Sequence, residues 1–385
     1  MKRDPYKTLL RVSGILAIIV VVGIGVFYLC SLAVTNDYVT RRNQIEKQNA
    51  EAEVAFNTKM NELRNNQNAV VNPETGEVTA ADLPVWEKTL GENNWRIEDE
   101  GVAGLENTGT ITLERSSLIT GGLLLVNAWH ALPFDFSDAE VVSVGSASSY
   151  KIQVQDSSIK LFPNAFKALS ECIDAAEAAG IKNTYILREA YRTNEVQSEY
   201  FNNRMEKESK KYSGDILIEQ TKKFVNYPGT SEYQSGMAFR LDLYTKEKVD
   251  LPKYSVSEQG KWFTENCWKY GIIFRFPTED FPSPAWEDKS YKTGITTAMN
   301  LYRYVGKAHA AAMSVLDYCL EEYVEFLIDH PHICIYEDDA LKYEIVRIRM
   351  AEDTTSFSLP VPNPANDYQA SMDNMGGIVM AYSYN

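Results

Sequence analysis

Histidine, cysteine and positive charge are all scarce in this 385-residue chain. Five Cys are too few for a disulfide scaffold at this length. Cys30 lies in an apolar run. Cys172, Cys267, Cys319 and Cys334 form no Cys-x-x-Cys pair, which excludes a zinc ribbon and a thioredoxin-like site. These four are compatible with free thiols or with two bridges. The histidines are His130, His309, His330 and His332, and none sits in a His-Glu-x-x-His motif. His330-Pro331-His332 reads as a turn about Pro331 in preference to a pair of metal ligands. Gly-x-Ser-x-Gly elbows, phosphate loops and dinucleotide fingerprints are lacking as well. Lys and Arg number 38 against 53 Asp and Glu, a net charge of −15. A nucleic-acid binder would need the basic face that this balance does not supply. What is present is ordinary globular material: 44% hydrophobic residues and 24% charged exclude wholesale disorder. The length allows roughly two to three domains.

Val12 to Val34 carries no charged residue, and twenty-odd apolar residues in a helix suffice to cross a bilayer core of about 30 Å. Lys2, Arg3, Lys7 and Arg11 precede it against Asp4. By the positive-inside rule residues 1–11 are cytoplasmic and everything after Val34 is extracytoplasmic. The expected protein is therefore held in the cell membrane by one N-terminal transmembrane helix, 12–34. Ser31-Leu32-Ala33 resembles a signal-peptide cleavage site, but the apolar run exceeds the roughly 7–15 residues of such a segment, which favours an uncleaved anchor.

Residues 35–107 read as stalk and linker: a polar, helix-forming stretch over Asn43 to Asn65, then a turn at Asn72-Pro73-Glu74-Thr75-Gly76. Residues 108–330 read as the core. Gly122 to Asn127 is a buried-strand candidate. Phe166, Leu169, Cys172, Ile173 and Ala176 have helical spacing over Asn164 to Ala179, with Gly180 as the stop. Strands are expected at Thr184 to Arg188, Met237 to Tyr244 and Ile272 to Phe276, and helices to Lys211, over Ser257 to Tyr270 and over Gly306 to Ile328. Residues 331–385, with strands at Tyr343 to Met350 and Gly377 to Tyr382 around the Pro-rich Leu359 to Pro364, read as a small C-terminal β extension. Helices and strands mixed without regular βαβ alternation give the α+β class. Glu189 and Glu232 read as solvated carboxylates.

The most distinctive stretch, Pro228-Gly229-Thr230-Ser231-Glu232-Tyr233-Gln234-Ser235-Gly236-Met237-Ala238-Phe239-Arg240, resembles the zinc D-alanyl-D-alanine carboxypeptidases of the VanY-like type and their Ser-x-His-x-x-Gly-x-Ala-x-Asp pattern. The likeness continues, in order, through Cys267-Trp268-Lys269-Tyr270-Gly271, Phe274-Arg275-Phe276-Pro277 and Tyr302-Arg303-Tyr304-Val305-Gly306. Upstream, Ala190-Tyr191-Arg192 with Gln197 also matches. The resemblance covers roughly residues 120 to 330. It implies the α+β D,D-peptidase core shared with hedgehog-type domains, a bacterial cell-wall setting, and a peptidoglycan stem peptide or cell-wall protein as partner.

The chemistry the resemblance implies does not carry over. In the family a His and an Asp of the first motif and a His of a Glu-Pro-Trp-His run hold zinc, and the Glu of that run is the base. Here those positions are Tyr233, Arg240, Leu301 and Ala298. A guanidinium about 4 Å from a divalent ion costs about 8 kcal/mol at an effective dielectric of 20. Loss of a base costs roughly 10²–10⁴ in rate. The expectation is a pseudoenzyme without zinc or any other cofactor, in which Arg192, Gln197 and Ser231 keep a ligand-binding role. Asp242 is expected to pair with Arg240 in preference to binding a metal, with an ordinary surface pair the simpler reading still. Two alternatives stand beside it. One is an active D,D- or L,D-carboxypeptidase with a rearranged site built from His309, His330, His332 and Asp242. The other is a structural protein whose cleft is filled by Tyr233 and Leu301 packed over Arg240.

Overall fold

The computed structural model describes residues 83–384 except 102–104, 106, 147–151, 248, 285 and 351–353, together with 69–71, 78–80, 22 and 24–26. The chain divides into two units, Met1–Ala81 and Asp82–Asn385. In the first, Ala69–Val71 pairs antiparallel with Val78–Ala80. Part of the expected linker is thus a strand pair, while the turn between the strands lies outside the described residues. Of the apolar run 12–34, only Val22 and Ile24–Val26 are described, and they are helical and exposed. The expected transmembrane helix and the 43–65 stalk therefore lie almost wholly outside the described residues. No helix among those described is long and apolar enough to cross a membrane.

The second unit contains, in chain order, strands β1 (Val85–Leu90), β2 (Asn93–Asp99), β3 (Thr108–Glu114), β4 (Gln153–Val154), β5 (Tyr185–Glu189), β6 (Ala238–Leu243), β7 (Ile272–Phe274), β8 (Leu301–Tyr304), β9 (His332–Glu337), β10 (Ala340–Arg349), β11 (Ser356–Pro362), β12 (Asp367–Met372) and β13 (Gly377–Ser383). Its longer helices are α1 (Pro163–Ala178), α2 (Asn194–Glu208), α3 (Gly214–Lys222), α4 (Glu258–Asn266), α5 (Lys307–Leu316) and α6 (Leu320–Asp329). One sheet has five strands in the order β7-β8-β6-β5-β4, antiparallel except at the β4–β5 edge. The other has six, β12-β13-β10-β9-β2-β1, all antiparallel.

The six-stranded sheet corrects two of the expected boundaries. The globular unit begins near residue 82 instead of 108, because β1 and β2 join β9. Residues 331–385 are not an appendage, since β9, β10, β12 and β13 are most of that sheet. The Pro-rich segment is itself a strand: β11 pairs with β3 in a two-stranded ribbon, where Pro360 and Pro362 need not donate to a second neighbour. Gly122 to Asn127 has no strand pairing, although Leu123 to Asn127 are buried. All four described cysteines are free and buried, which removes the two-bridge alternative for them.

Helix α1 starts with Pro163 in its first turn, where a missing N–H costs nothing, and stops before Gly180 at φ +86°. Its apolar stripe of Phe166, Leu169, Cys172 and Ile173 packs on Leu187, Phe239 and Leu241 of the five-stranded sheet. Alternation along β6 sends Phe239, Leu241 and Leu243 into that core and leaves Arg240 exposed and Asp242 half-buried on the other face. Helices α5 and α6 cover one face of the six-stranded sheet, with Ala311, Tyr323 and Leu327 against Ile333, Ile335 and Ile345. The helix expected over Gly306 to Ile328 is broken between them by Asp317, which is left-handed at φ +55°. The opposite face of the sheet meets the ribbon through Ile378, Met380 and Phe357.

Candidate functional site: a cleft on the five-stranded sheet

The chain enters β6 through a 3₁₀ turn, Glu232–Ser235, and Gly236. Gly236 has φ +69°, and a Cβ there would sit 2.5 Å from the Phe162 ring, so no other residue fits without displacing it. This tight turn sets Tyr233 over the face of β6 that carries Arg240. In the next strand Leu301 lies directly across from Arg240. Tyr233 packs with Phe276 and Leu301. An open cleft of about 980 Å³ is lined by Glu189, Arg192, Ser231, Tyr233, Arg240, Asp242, Ala298 and Leu301, among others. The four positions Tyr233, Arg240, Ala298 and Leu301 therefore converge, as do Arg192 and Ser231. Tyr233 and Leu301 do pack together, but they do not close over Arg240, which stays exposed.

Arg192 is held from every side. Its Nε donates to Glu189 Oε1 at 2.8 Å and its Nη1 to Gln197 Oε1 at 2.9 Å. Its guanidinium carbon lies 4.0 Å from the Tyr233 ring centroid and 4.7 Å from that of Tyr200. Gln197 is 0% exposed, and its amide also donates to the Asn226 carbonyl at 2.7 Å. Gln197 thus orients Arg192 and cannot touch a ligand, which corrects its expected binding role. Arg240 makes no hydrogen bond or ion pair with any described residue, and its charge is open to the cleft. Asp242, expected to pair with it, instead faces Arg188 at 3.4 Å. Burial and the nearby Glu189 carboxylate push the Tyr233 phenol well above its ordinary pKa, against the pull of Arg192 and Arg240. Tyr233 therefore stays a neutral phenol at any physiological pH.

The remaining histidines do not reach the cleft lining. His309 is buried, bonded at 3.0 Å to the Tyr323 hydroxyl, and burial pushes its pKa down to about 3. His330 pairs with Asp99 and His332 with Glu344, each at 2.7 Å.

Behind the cleft lies a buried ion network that sequence reasoning missed. Arg275 donates through Nε to Glu232 at 2.8 Å and through both terminal nitrogens to Glu321, at 2.8 and 2.7 Å. Arg303 bonds the other oxygen of Glu232, and its Nη2 donates to the Gly122 and Leu124 carbonyls at 2.9 Å. Asn127 donates to Glu321 at 3.0 Å. Two guanidinium groups thus face two carboxylates with both Arg side chains fully buried. Glu232 is a strut of the turn and not a solvated carboxylate. Its signal was available: Arg275 and Arg303 each interrupt an aromatic strand, and a buried guanidinium must find carboxylates.

Residues 158–307 match the profile of the family described as "VanY: D-alanyl-D-alanine carboxypeptidase". The bifunctional D-Ala-D-Ala dipeptidase and D-Ala-D-Ala carboxypeptidase VanXYC of Enterococcus gallinarum is 33% identical over 152 residues, 39% of this chain and 71% of that protein. The chain belongs to the VanY family. A D-alanyl-D-alanine carboxypeptidase of Enterococcus faecium is 27% identical over 286 residues, 74% of this chain and 82% of that one. Among solved structures, the vancomycin-resistance D,D-dipeptidase VanXYg in complex with a D-Ala-D-Ala phosphinate analog aligns with a TM-score of 0.55 at 23% identity, covering 72% of this chain and 99% of that chain. That likeness shows the mixed α/β fold. The VanY match spans every cleft position discussed above, whereas the whole six-stranded sheet lies outside it.

Proposed function

We propose that this carboxypeptidase-like protein binds the end of a peptidoglycan stem peptide without hydrolysing it. The observation that carries the reading is the convergence of Tyr233, Arg240, Ala298 and Leu301 in one open cleft. Those four do not fit zinc. A neutral phenol, a guanidinium and two hydrocarbon side chains offer no anionic or imidazole donor, and catalytic zinc normally takes three protein ligands and a water. Ala298 cannot accept a proton from water. The rearranged-site alternative is left with Asp242 alone of its four residues, because none of the three candidate histidines lines the cleft.

What the cleft retains suits a peptide carboxylate. Arg192 is preorganised by Glu189 and Gln197, and Arg240 adds a positive charge with no ion-pair partner among the described residues. Lys207 and Lys253 also line the cleft. In a chain of net charge −15 this is a local basic patch, which raises the concentration of anionic ligands at its mouth. The apolar run 12–34 supports membrane anchoring with the domain outside, where such peptides are found. The test is incubation of the purified full chain with a peptide ending in D-Ala-D-Ala. Calorimetry is expected to show binding, and D-alanine release is expected to be absent with or without added zinc. Release of D-alanine that a chelator abolishes would overturn the reading.

A further inference from the structure

A second cluster of metal-ligating chemistry lies far along the chain from the cleft, on the six-stranded sheet. The strand His332-Ile333-Cys334-Ile335 alternates. Ile333 and Ile335 enter the core against α5 and α6, so His332 and Cys334 share the other face, two residues apart. On β10, Glu344 lies directly across from Cys334. One ligand atom from each of His332, Cys334 and Glu344 falls within 4.8 Å of the others, and all three side chains are largely sheltered from solvent. Glu344 is itself oriented by the Tyr384 hydroxyl. The Glu100 carboxylate of the chain leaving β2 lies beside the thiol.

We infer that His332, Cys334 and Glu344 form a binding site for a divalent zinc-class cation. The donor set argues the metal. A thiolate and an imidazole select against magnesium and calcium, and a mixed sulfur, nitrogen and oxygen set suits zinc. In a tetrahedral zinc site neighbouring ligand atoms are roughly 3–4 Å apart. His332 Nε2 and Glu344 Oε1, now 2.7 Å apart, would open slightly, and the Cys334 sulfur would close in. Side-chain torsions cover such a change without moving strands whose pairing is continuous through these residues. Binding displaces the proton between His332 Nε2 and Glu344, which passes by way of solvent to His332 Nδ1 so that the imidazole stays neutral, and releases the thiol proton to solvent. Glu100 or a water completes the fourth position. The ion would clamp β9 to β10 beside β2, so its role is to secure the sheet and not to hydrolyse peptides.

The experiment is titration of the full-length protein with Co²⁺ as a spectroscopic zinc substitute. One ion per chain should bind with a thiolate-to-metal charge-transfer band in the near ultraviolet. The cleft has no cysteine in its lining, so that band cannot arise there. Cys334→Ser should abolish the band, whereas Cys319→Ser, which removes a different buried thiol, should keep it. Tyr384→Phe, which leaves all three ligands and removes only the support of Glu344, should weaken affinity about tenfold. Absence of the band from the unmodified protein, or its survival in Cys334→Ser, would overturn the inference.

Discussion

Glu232 and Tyr233 are consecutive residues of one turn, yet they face two regions built on opposite terms. Inward, Glu232 meets Arg275 and Arg303, and with Glu321 the four charges cancel inside a buried, hydrogen-bonded network. Outward, Tyr233 meets a cleft in which Arg240 makes no ion pair with any described residue, while the nearby Glu189 is engaged by Arg192. The frame satisfies folding, because an unpaired charge at its depth would cost several kcal/mol. The cleft wall faces water, so it tolerates an unmatched guanidinium at little cost to stability. Shape and chemistry can therefore part company within two residues: a cleft in a VanY-family domain is lined at Tyr233, Arg240, Ala298 and Leu301 by a phenol, a guanidinium and two hydrocarbon side chains.

The comparison can be broken most severely from the inside. Arg275→Met should cost about 3–5 kcal/mol in urea unfolding, because it strands the buried Glu321 carboxylate and leaves Glu232 to Arg303 alone. A loss below about 1 kcal/mol would mean the network is not what braces the turn. On the cleft side, Arg240→Ala should leave stability within about 0.5 kcal/mol. It should nevertheless weaken binding of a D-Ala-D-Ala-terminated peptide roughly tenfold or more, the usual worth of a hydrogen bond to a charged group. Unchanged affinity would remove Arg240 from the binding surface. Acid separates the regions too. Burial alone would raise the Glu321 pKa, but Arg275 outweighs it and holds the carboxyl below the ordinary Glu value. Its contribution is thus fully present above the ordinary Glu range and is lost as pH falls through the depressed value. Urea midpoints of the native protein should fall over that acid range more steeply than those of Glu321→Gln. The smallest effect belongs to the residue linking the two regions. Gln197→Ala should cost about 1 kcal/mol of stability and lower peptide affinity less than Arg192→Ala does.

Local order was legible from the sequence wherever the determinants are local. The stripe of α1, the alternation of β6 and the glycine stop after Ala179 follow from spacing within a few residues. The convergence of Tyr233, Arg240, Ala298 and Leu301 was legible through the order of the motifs. Long-range partnerships were not. Glu232 looks like any acidic turn residue until Arg275 and Arg303 are brought to it from 43 and 71 residues away. Gln197 reads as a ligand-binding residue through the resemblance until the Asn226 carbonyl and Arg192 enclose it. Strands β1 and β2 look like linker because their hydrogen-bond partner is β9. The His332–Pro331–His330 segment was read as a turn, whereas His332 opens a strand whose outer face collects Cys334 and Glu344.

The union of β2 with β9 has a temporal consequence. Asn93 and Glu337 are hydrogen-bonded across 244 residues of intervening chain. A ribosome must therefore deliver nearly the whole polypeptide before β2, already paired with β1, can gain its second neighbour. Until then its open edge is available to wrong neighbours, and closing so distant a contact is slow. Removing the chain from residue 332 onward would take away the strand that β2 meets on its inner edge as surely as it would remove the end of the domain.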